Sequence, residues 1–568
     1  MRRSAWVGML ALLLAAGAAC ERGAAPESAA DLVLRGGRIV TVDSARPEVQ
    51  AIAIKGDTIL ALGSNQEISN YIGAATQVIE LQGMLAVPGL IESHGHFLGI
   101  GDANLQLDLM DVHNWDAIVD MVAAAARDVA PGQLIRGRGW HQEKWDRLPD
   151  NAIEGLPSHH SLSAVSPDNP VVLRHASGHA AFANARAMEL AGITRATRDP
   201  AGGEIVRDAN GEPIGMFRET AQGLLGEATR NATPPDPRRQ AELAVEEVLS
   251  KGITSFQDAG SGFETVEMLK QMVDAGSLGV RMYVMVRASN EELARQLDSV
   301  RVIGYGDQRL TVRAIKRSID GALGPHGAWL LAPYQDLSSS SGLNTSSIES
   351  IEETARLAIQ HDFQLNVHAI GDRANREVLN IFERTFVANP DRTDLRWRIE
   401  HAQHLHPDDI PRFARLGVIA SMQGIHATSD APYVLVRLGE ERARNGAYVW
   451  QSLMKSGALV TNGTDAPVED VDPIASFYAS VSRKLKDGTV FFPDQRMTRE
   501  EALRSYTINA ARAAFEEDIK GTLVPGKLAD ITVLSRDVLT IPEEEIPTAR
   551  VMYTIVGGKI MYSAEAGS

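Results

Sequence analysis

The stretch that decides the fold is Val87–His96, VPGLIESHGH, an apolar run that ends in two histidines separated by one glycine. Similar apolar runs recur along the chain and alternate with stretches of helical periodicity, which is typical of parallel βα units whose strands are covered on both faces. Eight candidate strands can be counted, at residues 85–94, 253–258, 280–286, 310–319, 364–369, 397–401, 418–422 and 458–465. Eight parallel strands with intervening helices predict an α/β fold of the (β/α)8 TIM-barrel type over residues 85–518.

Two structural units are predicted in addition to the barrel, one from the spacing of the strands and one from the two chain ends. About 150 residues separate the first two candidate strands, where a βα unit needs roughly 30. We therefore predict an inserted subdomain at about residues 99–251, on the catalytic side of the barrel. Short Val/Ile/Leu runs broken by glycine occupy residues 31–84 and 519–568. We infer that these two ends pair into one small β-sandwich.

The N-terminus has the pattern of an export signal. Two arginines precede an apolar run, residues 5–16, that is too short to span a bilayer, and the chain's only cysteine, Cys20, follows three small residues. The pattern predicts a signal peptide at 1–20 and resembles a bacterial lipobox, whose cysteine is lipidated. Ordinary cleavage after residue 18 is the alternative. Residues 21–30 have the composition of a flexible tether. We expect an exported protein, in the periplasm or anchored by its lipid at the bacterial cell envelope.

The charge balance restricts the class of partner. Acidic residues outnumber basic ones, 73 against 56, and the net charge is -17. Such a surface repels nucleic acid and anionic lipid, so neither is expected as a partner. We expect a small-molecule substrate, with membrane contact only through the N-terminal lipid. The oligomeric state stays open.

The predicted strand ends carry side chains that bind metals. Active sites of this fold are built at the carboxyl ends of the barrel strands. Those positions hold His94 and His96 on the first strand, Lys316 on the fourth, His368 on the fifth, His401 on the sixth and Asp465 on the eighth. Period-two alternation puts both histidines of the first strand on the same side, so that both imidazoles can reach one ion. A single such residue is weak evidence, but the joint pattern predicts a metal centre.

Several segments resemble a known family. VPGLIESHGH, VRAIKRSIDGALG, NVHAIGDRA, RIEHAQ, ASMQGIH and VTNGTDAPVE are similar to segments of the amidohydrolase superfamily, and within it to amidohydrolase family 3, the YtcJ-like group. GTLVPGKLADITVL resembles the returning sandwich strand of that family. The resemblance implies a metal-dependent hydrolase that cleaves an amide-type, non-peptide C–N bond through attack by a metal-bridging hydroxide.

The same resemblance implies roles for the six residues at the strand ends. One divalent ion would be held by His94, His96 and Asp465, and a second by His368 and His401. Lys316, carboxylated by CO2, would bridge them. Zinc is the default ion for a site rich in histidine. Asp465 would be the catalytic proton shuttle, taking a proton from the attacking water and passing it to the leaving nitrogen.

Six further residues are candidates for substrate contact. His179, Trp140 and Trp145 lie on segments of the insertion that resemble family positions facing the substrate. Asp320, Arg373 and His426 lie just beyond predicted strand ends, where they would contact the ligands or the substrate. For the two tryptophans, a place in a hydrophobic core is the alternative.

Other functions stay open beside the amide hydrolase. A lactonase or esterase would use the same groups, because hydroxide attacks an ester as it attacks an amide. A mononuclear deaminase of the same superfamily uses a glutamate soon after the fifth-strand histidine, whereas this chain has His368-Ala-Ile-Gly-Asp372 there. A catalytically inactive binding protein would be expected to have lost ligands, and here every ligand position is occupied. N-acyl amines, formamides, cyclic amides and acyl amino acids all stay open as substrates.

Overall fold

The computed structural model describes residues 29–149, 152–230 and 236–564. The predicted signal peptide, the lipidation candidate Cys20 and most of the predicted tether lie outside these ranges. Within them, no helix combines the length and the hydropathy that crossing a membrane requires.

The strands follow one another along the described chain in four groups. The first group is β1 (Leu32–Val40), β2 (Glu48–Lys55), β3 (Thr58–Gly63), β4 (Gln77–Glu80), β5 (Leu85–Pro88) and β6 (Leu90–Gly95). The insertion contributes β7 (Leu107–Asp108), β8 (Ile135–Trp140), β9 (Val171–His175), β10 (Ala180–Ala183), β11 (Gly203–Arg207) and β12 (Pro213–Glu219). The third group is β13 (Ile253–Ser261), β14 (Arg281–Val286), β15 (Val302–Gly304), β16 (Leu310–Ser318), β17 (Gln364–Ala369), β18 (Arg398–His401), β19 (Ile419–Gln423) and β20 (Val460–Gly463). The last group is β21 (Ile531–Leu534), β22 (Val551–Val556) and β23 (Lys559–Ser563).

Half of the twenty α-helices of the described ranges lie between strands of the third group. In chain order they are α1 (Asn65–Ser69), α2 (Phe97–Ala103), α3 (Trp115–Asp128), α4 (His160–Val165), α5 (Ala185–Leu190), α6 (Gly226–Arg230), α7 (Pro237–Ser250), α8 (Phe263–Asp274), α9 (Asn290–Val300), α10 (Tyr305–Gln308), α11 (Ile348–Gln360), α12 (Asp372–Ala388), α13 (Ile410–Leu416), α14 (His426–Ser429), α15 (Ala431–Leu438), α16 (Glu440–Gly446), α17 (Trp450–Lys455), α18 (Pro473–Ser482), α19 (Arg499–Ser505) and α20 (Ile508–Ala513). Short 3-10 turns occupy Gln142–Lys144, Thr220–Leu225, Pro407–Asp409, Pro493–Gln495 and Glu543–Thr548.

The predicted barrel is confirmed. Its strands lie in the order β6-β13-β14-β16-β17-β18-β19-β20, and every neighbouring pair is parallel. Two backbone hydrogen bonds join the last strand to the first, from Asp465 N to His94 O (2.8 Å) and from His96 N to Ala466 O (2.7 Å). The apolar residues of the strands are buried together with those of the surrounding helices. The barrel therefore brings the ends of the first and eighth strands side by side.

The predicted first strand, residues 85–94, is wrong as a single element. Its first part is β5, which pairs with β21 and β1 in a different sheet, and only β6 belongs to the barrel. The chain changes sheets at Gly89, where a Cβ atom would lie 2.1 Å from Thr254 Oγ1. An unbroken apolar run hides this change, because buried strands of two adjoining sheets have the same hydropathy.

Both chain ends contribute to one hydrogen-bonded sheet. Its order is β23-β22-β21-β5-β1-β2-β3, with β4 paired to β1. Leu34 and Ile52 from the N-terminal strands and Ile531 and Ile555 from the C-terminal strands are buried in one cluster. The pairing of the two ends that the sequence predicts is therefore present.

The insertion forms a separate layer over the barrel's carboxyl end, here called the roof and defined as residues 107–225. Its sheet has the order β11-β12-β10-β9-β8-β7. Side chains link it to the barrel loops: Arg138 Nε donates to the Pro467 carbonyl (3.1 Å), and Lys144 Nζ lies 3.3 Å from Glu469 Oε1. Arg437 on the barrel pairs with Glu143 on the roof at 2.8 Å. These contacts enclose a space between the roof and the barrel.

Candidate metal centre and cavity

The fold brings the six predicted ligands together at the carboxyl end of the barrel. His94 Nε2 lies 3.3 Å from Lys316 Nζ and 3.4 Å from Asp465 Oδ1, and His96 Nε2 lies 3.2 Å from the same oxygen. The ring centroid of His401 is 4.7 Å from that of His94 and 4.5 Å from that of His368. Potential ligand atoms of His94, His401 and Asp465 all lie within 4.8 Å of one another.

The backbone around two of these residues is strained. His401 and Asp465 have positive φ angles, 76° and 57°, a region that residues other than glycine rarely occupy. At Gly463 a Cβ atom would lie 2.2 Å from Glu92 Oε1 and 2.9 Å from His94 N. Only glycine therefore lets the end of β20 approach β6 this closely. Strain of this kind persists where the surrounding structure fixes it, and it is concentrated at functional sites.

Neighbouring side chains orient two of the histidines. His94 Nδ1 donates to the Glu400 carboxylate, and His401 Nδ1 donates to Gln423 Oε1 (2.7 Å). Each contact leaves the Nε2 atom of its ring for another partner, as in the outer shells of metal sites. Burial alone would raise the pKa of Glu400, but Arg398, 2.7 Å away, and His94 hold that pKa far below its ordinary value. Glu400 is therefore a carboxylate at neutral pH.

The donor set fits divalent cations. His368 Nε2 and Asp465 Oδ1 are buried and make no hydrogen bond within the described chain. The nearest groups of opposite potential charge are Asp320 Oδ1, 3.5 Å from His368 Nε2, and His96 Nε2, 3.2 Å from Asp465 Oδ1. Buried polar atoms normally have a partner. Nitrogen and oxygen donors converging on one point are the ligands that zinc and similar ions take. These residues could therefore hold metal, while Lys316, whose pKa burial lowers to about 8, lies among them.

A cavity of about 560 Å³ opens above this centre. Barrel residues form its floor, and His141, Lys144, Arg174, His179 and Glu219 of the roof form its other wall. His179 Nδ1 donates to Glu219 Oε2 (2.8 Å), and its ring centroid is 5.5 Å from that of His368. Glu219 N donates in turn to the His179 carbonyl (2.8 Å), and Glu219 has a φ of 50°. The roof thus holds an imidazole over the floor in a defined orientation.

Three of the six predicted substrate contacts line this cavity. They are His179, His426 and Asp320. His426 is buried, and its Nε2 has no hydrogen-bond partner in the part of the chain that the structure describes. Asp320 is occupied by the backbone, because its oxygens accept from the amides of Ile370, Gly371 and Trp329. It therefore ties the loop after β17 to the segment after β16.

The other three predicted contacts do not line this cavity. Trp140 is fully buried in the core of the roof, where its Nε1 donates to the Leu173 carbonyl (3.0 Å). Trp145 packs against the same core, with its ring centroid 6.1 Å from that of Trp140. Arg373 is exposed, and its guanidinium lies over the Trp329 ring at 4.5 Å instead of facing the cavity. Apolar packing explains the positions of the two tryptophans, and the contact with the Trp329 ring explains that of Arg373.

Sequence reasoning missed Glu400, Gln423 and Glu219. Glu400 precedes His401 in a short strand that also contains Arg398. A carboxylate in a strand predicted to be buried was a usable signal, because such a group needs a partner. Gln423 ends β19 in the same way. Glu219 carried no local signal, since its role depends on a residue 40 positions earlier.

Comparison with known proteins identifies the family. A family model described as the amidohydrolase family matches residues 77–562. YtcJ of Bacillus subtilis is 30% identical over 545 residues, which are 93% of this chain and 99% of that protein. N-substituted formamide deformylase of Arthrobacter pascens is 27% identical over 94% of this chain and 98% of its own.

The fold is also shared with a metal-dependent hydrolase of known structure. The crystal structure of a metal-dependent hydrolase from Pyrococcus furiosus, itself uncharacterized, superposes with a TM-score of 0.69 at 28% identity, over 90% of this chain and all of that one. The sequence match, the barrel and the donor set agree. The chain belongs to the amidohydrolase family of metal-dependent hydrolases, enzymes that act on carbon–nitrogen bonds other than peptide bonds.

Proposed function

We propose that this enzyme hydrolyses an amide-type, non-peptide C–N bond and that it uses two divalent ions, zinc in the first place. The observation that carries the proposal is the convergence of four histidines, Lys316 and Asp465 on one point beneath the cavity. The similarity to an N-substituted formamide deformylase supports an N-acyl or N-formyl amine as substrate. His94, His96 and Asp465 would hold one ion, and His368 and His401 the other.

The ions would polarise the scissile carbonyl and lower the pKa of a water, which is the chemistry that divalent metals supply in hydrolases. Lys316 is suited to bridge them as a carbamate. Burial lowers the pKa of Lys316 to about 8. At pH 7 about a tenth of the amine is then uncharged, far more than for an ordinary lysine, and the uncharged amine is the form that adds to CO2. The N–C bond forms with release of one proton, and the carbamate anion would offer two oxygen donors beside His94.

Asp465 would move the proton. Burial alone would raise the pKa of Asp465, but the neighbouring His94 and His96 imidazoles hold it well below its ordinary value. Asp465 is therefore ionised at neutral pH, the form in which a carboxylate can act as the proton acceptor for the attacking water. The water oxygen bonds to the acyl carbon, the C–N bond breaks, and the nitrogen takes the proton from Asp465. The products are a carboxylic acid and an amine.

His179 would contact the substrate from the roof. Burial alone would lower the pKa of His179, but Glu219 raises it, so an imidazolium is available near neutral pH. With Nδ1 held by Glu219, the Nε2 atom is left for a hydrogen bond to the substrate.

A hydrolysis screen over N-formyl amines, longer N-acyl amines, cyclic amides, esters and lactones tests the proposal, together with elemental analysis of protein purified without chelator. We expect amine release from at least one amide and close to two divalent ions per chain. Hydrolysis confined to esters or lactones would contradict the C–N assignment. One ion or fewer, after incubation with zinc and bicarbonate, would contradict the two-metal site.

We also propose that the chain is exported and lipidated at Cys20, because the residues before it have the order of a bacterial lipoprotein signal. In a Gram-negative host, full-length protein should sediment with membranes, and Cys20→Ser should release it. Equal solubility of the two forms in the periplasm would contradict lipidation.

A further inference from the structure

The charges that line the cavity are not balanced. Most carboxylates on its wall already have partners: Asp320 accepts three backbone amides, Glu219 accepts from His179, and Glu469 pairs with Lys144. Asp430 likewise accepts from Gln403 and Tyr448. Asp465 belongs to the metal centre. The acidic groups outside that centre are therefore neutralised or hydrogen-bonded within the protein.

Two cationic side chains on the same wall have no such partner. Arg174 and Arg287 both line the cavity and are exposed to it. Neither guanidinium makes a hydrogen bond, an ion pair or a ring contact with any residue of the described ranges. The third cation outside the metal centre, Lys144, is paired with Glu469. The free charge that the cavity offers to a substrate is therefore positive, although the whole chain is strongly acidic.

Both arginines lie close to the reacting end. Arg287 follows β14, and a Cβ atom built on Gly260 would lie 3.1 Å from Arg287 Cδ and 3.5 Å from Lys316 Cγ, so the two side chains flank one glycine. Arg174 in β9 is the parallel register partner of Arg138, which contacts the loop after Asp465. Register partners lie on the same face of a sheet, so Arg174 faces the barrel from the roof.

We propose that the substrates of this enzyme carry a carboxylate close to the scissile amide, and that Arg287, assisted by Arg174, binds it. The proposal rests on the amide hydrolysis proposed above and narrows its substrate class to acidic amides. A guanidinium presents two parallel N–H donors that match a carboxylate, and a charge-assisted contact of this kind is stronger than one between neutral groups. An unpaired guanidinium beside the metal centre would also fix which end of the amide enters first.

Matched substrate pairs test the proposal on the wild-type enzyme with its metals bound. N-formyl-leucine is compared with N-formyl-3-methylbutylamine, which lacks only the carboxylate. For an acid on the acyl side, N-(3-methylbutyl)succinamic acid is compared with N-(3-methylbutyl)butanamide. We expect the acidic member of at least one pair to have a kcat/KM about tenfold or more above its neutral partner, and the favoured pair locates the carboxylate.

Single variants then assign the contact. Arg287→Met should raise the KM of the favoured acid about tenfold more than that of its neutral partner, because the lost interaction is made in both the ground state and the transition state. Arg174→Met should act in the same direction, and it provides a second test should Arg287→Met fold poorly. Arg295→Met, on the exposed side of α9 where its partner is Glu291, is the control and should change neither KM.

The outcomes separate this proposal from the one it rests on. Neutral amides cleaved as efficiently as their acidic partners in both pairs would overturn the carboxylate assignment while leaving amide hydrolysis intact. An acid preference that survives in both arginine variants would also overturn it. A failure to cleave any amide by an enzyme that carries its metals would overturn the proposed function and this inference together.

Discussion

The floor and the roof of the cavity are held in different ways. On the floor, the potential ligands lie at the ends of parallel strands, each hydrogen-bonded to a neighbouring strand on both sides. His401 and Asp465 keep strained positive φ angles there. The roof reaches the barrel through isolated side-chain contacts such as Lys144 with Glu469 and Arg437 with Glu143. A rigid floor suits chemistry that needs fixed donors. A separate roof lets substrate contacts such as His179 change without moving the metal site.

The largest expected effect is on the floor. Asp465→Asn should keep much of the metal but lower kcat by about 10² to 10⁴, because the amide keeps an oxygen donor and cannot accept the proton. Lys316→Ala should instead lose at least one ion and regain part of its activity with a short carboxylic acid. Measuring kcat and metal content of both variants side by side separates these roles. A fully active, fully metallated Asp465→Asn enzyme would mean that another group, such as His426, moves the proton.

The next effect tests whether the roof is independent of the floor. Trp140→Ala should lower the free energy of unfolding by about 3 to 5 kcal/mol, because a fully buried indole and its hydrogen bond to Leu173 are lost. Thermal denaturation measures this, and metal content should not change. Trp140→Phe, a milder change, should keep the substrate KM. A changed KM with unchanged stability in the Phe variant would put this side chain back in the cavity.

A smaller effect is expected where roof and floor face each other. Glu219→Gln should reduce kcat/KM about tenfold by weakening the hold on His179. Because Glu219 raises the pKa of His179, the alkaline limb of the pH–rate profile should move to lower pH in the variant. Glu204→Gln, on the neighbouring strand and paired with Arg218, is the control. A loss of rate without any movement of the profile would point to a purely structural role.

The smallest effect concerns the attachment of the roof. Lys144→Met should cost about 1 kcal/mol or less in unfolding free energy, because the Lys144–Glu469 pair is partly exposed. Burial alone would raise the pKa of Glu469, but Lys144 helps to hold it below its ordinary value. The stabilisation is therefore present above the unfolded pKa of a glutamate and is lost as the pH falls through the lower folded pKa.

Denaturation of the wild type and of Lys144→Met, at pH 7 and in acid, measures the difference between their free energies of unfolding. This difference should be present at pH 7 and should shrink in acid. Lys270→Met, whose exposed partner Glu267 lies on the same helix, is the control and should show a smaller difference from the wild type in the same measurement. A difference that grows in acid would contradict the assignment.

The same division explains what the sequence could predict. The barrel and the positions of His94, Lys316, His368 and Asp465 follow from apolar runs, because parallel strands deliver their carboxyl ends to one place. No comparable rule predicts which residues of the roof face the cavity. Trp140 and Arg174 both lie in roof strands, and which of them faces the cavity depends on how that sheet docks. The division of residues 85–94 between two sheets was hidden for a similar reason, since burial does not show which sheet covers a strand.

The junction between β5 and β6 determines when one part of the enzyme can fold during synthesis. Leu90, at the start of the strand that carries His94, donates its backbone amide to Thr532, 442 residues further along the chain. Contacts so distant in sequence form late, after the intervening chain has been ordered. A nascent chain that lacks its last segment cannot complete the sheet beside the first barrel strand. The sheet that adjoins the first barrel strand is therefore completed only after β21 has been synthesised, although the six predicted ligands all precede that strand.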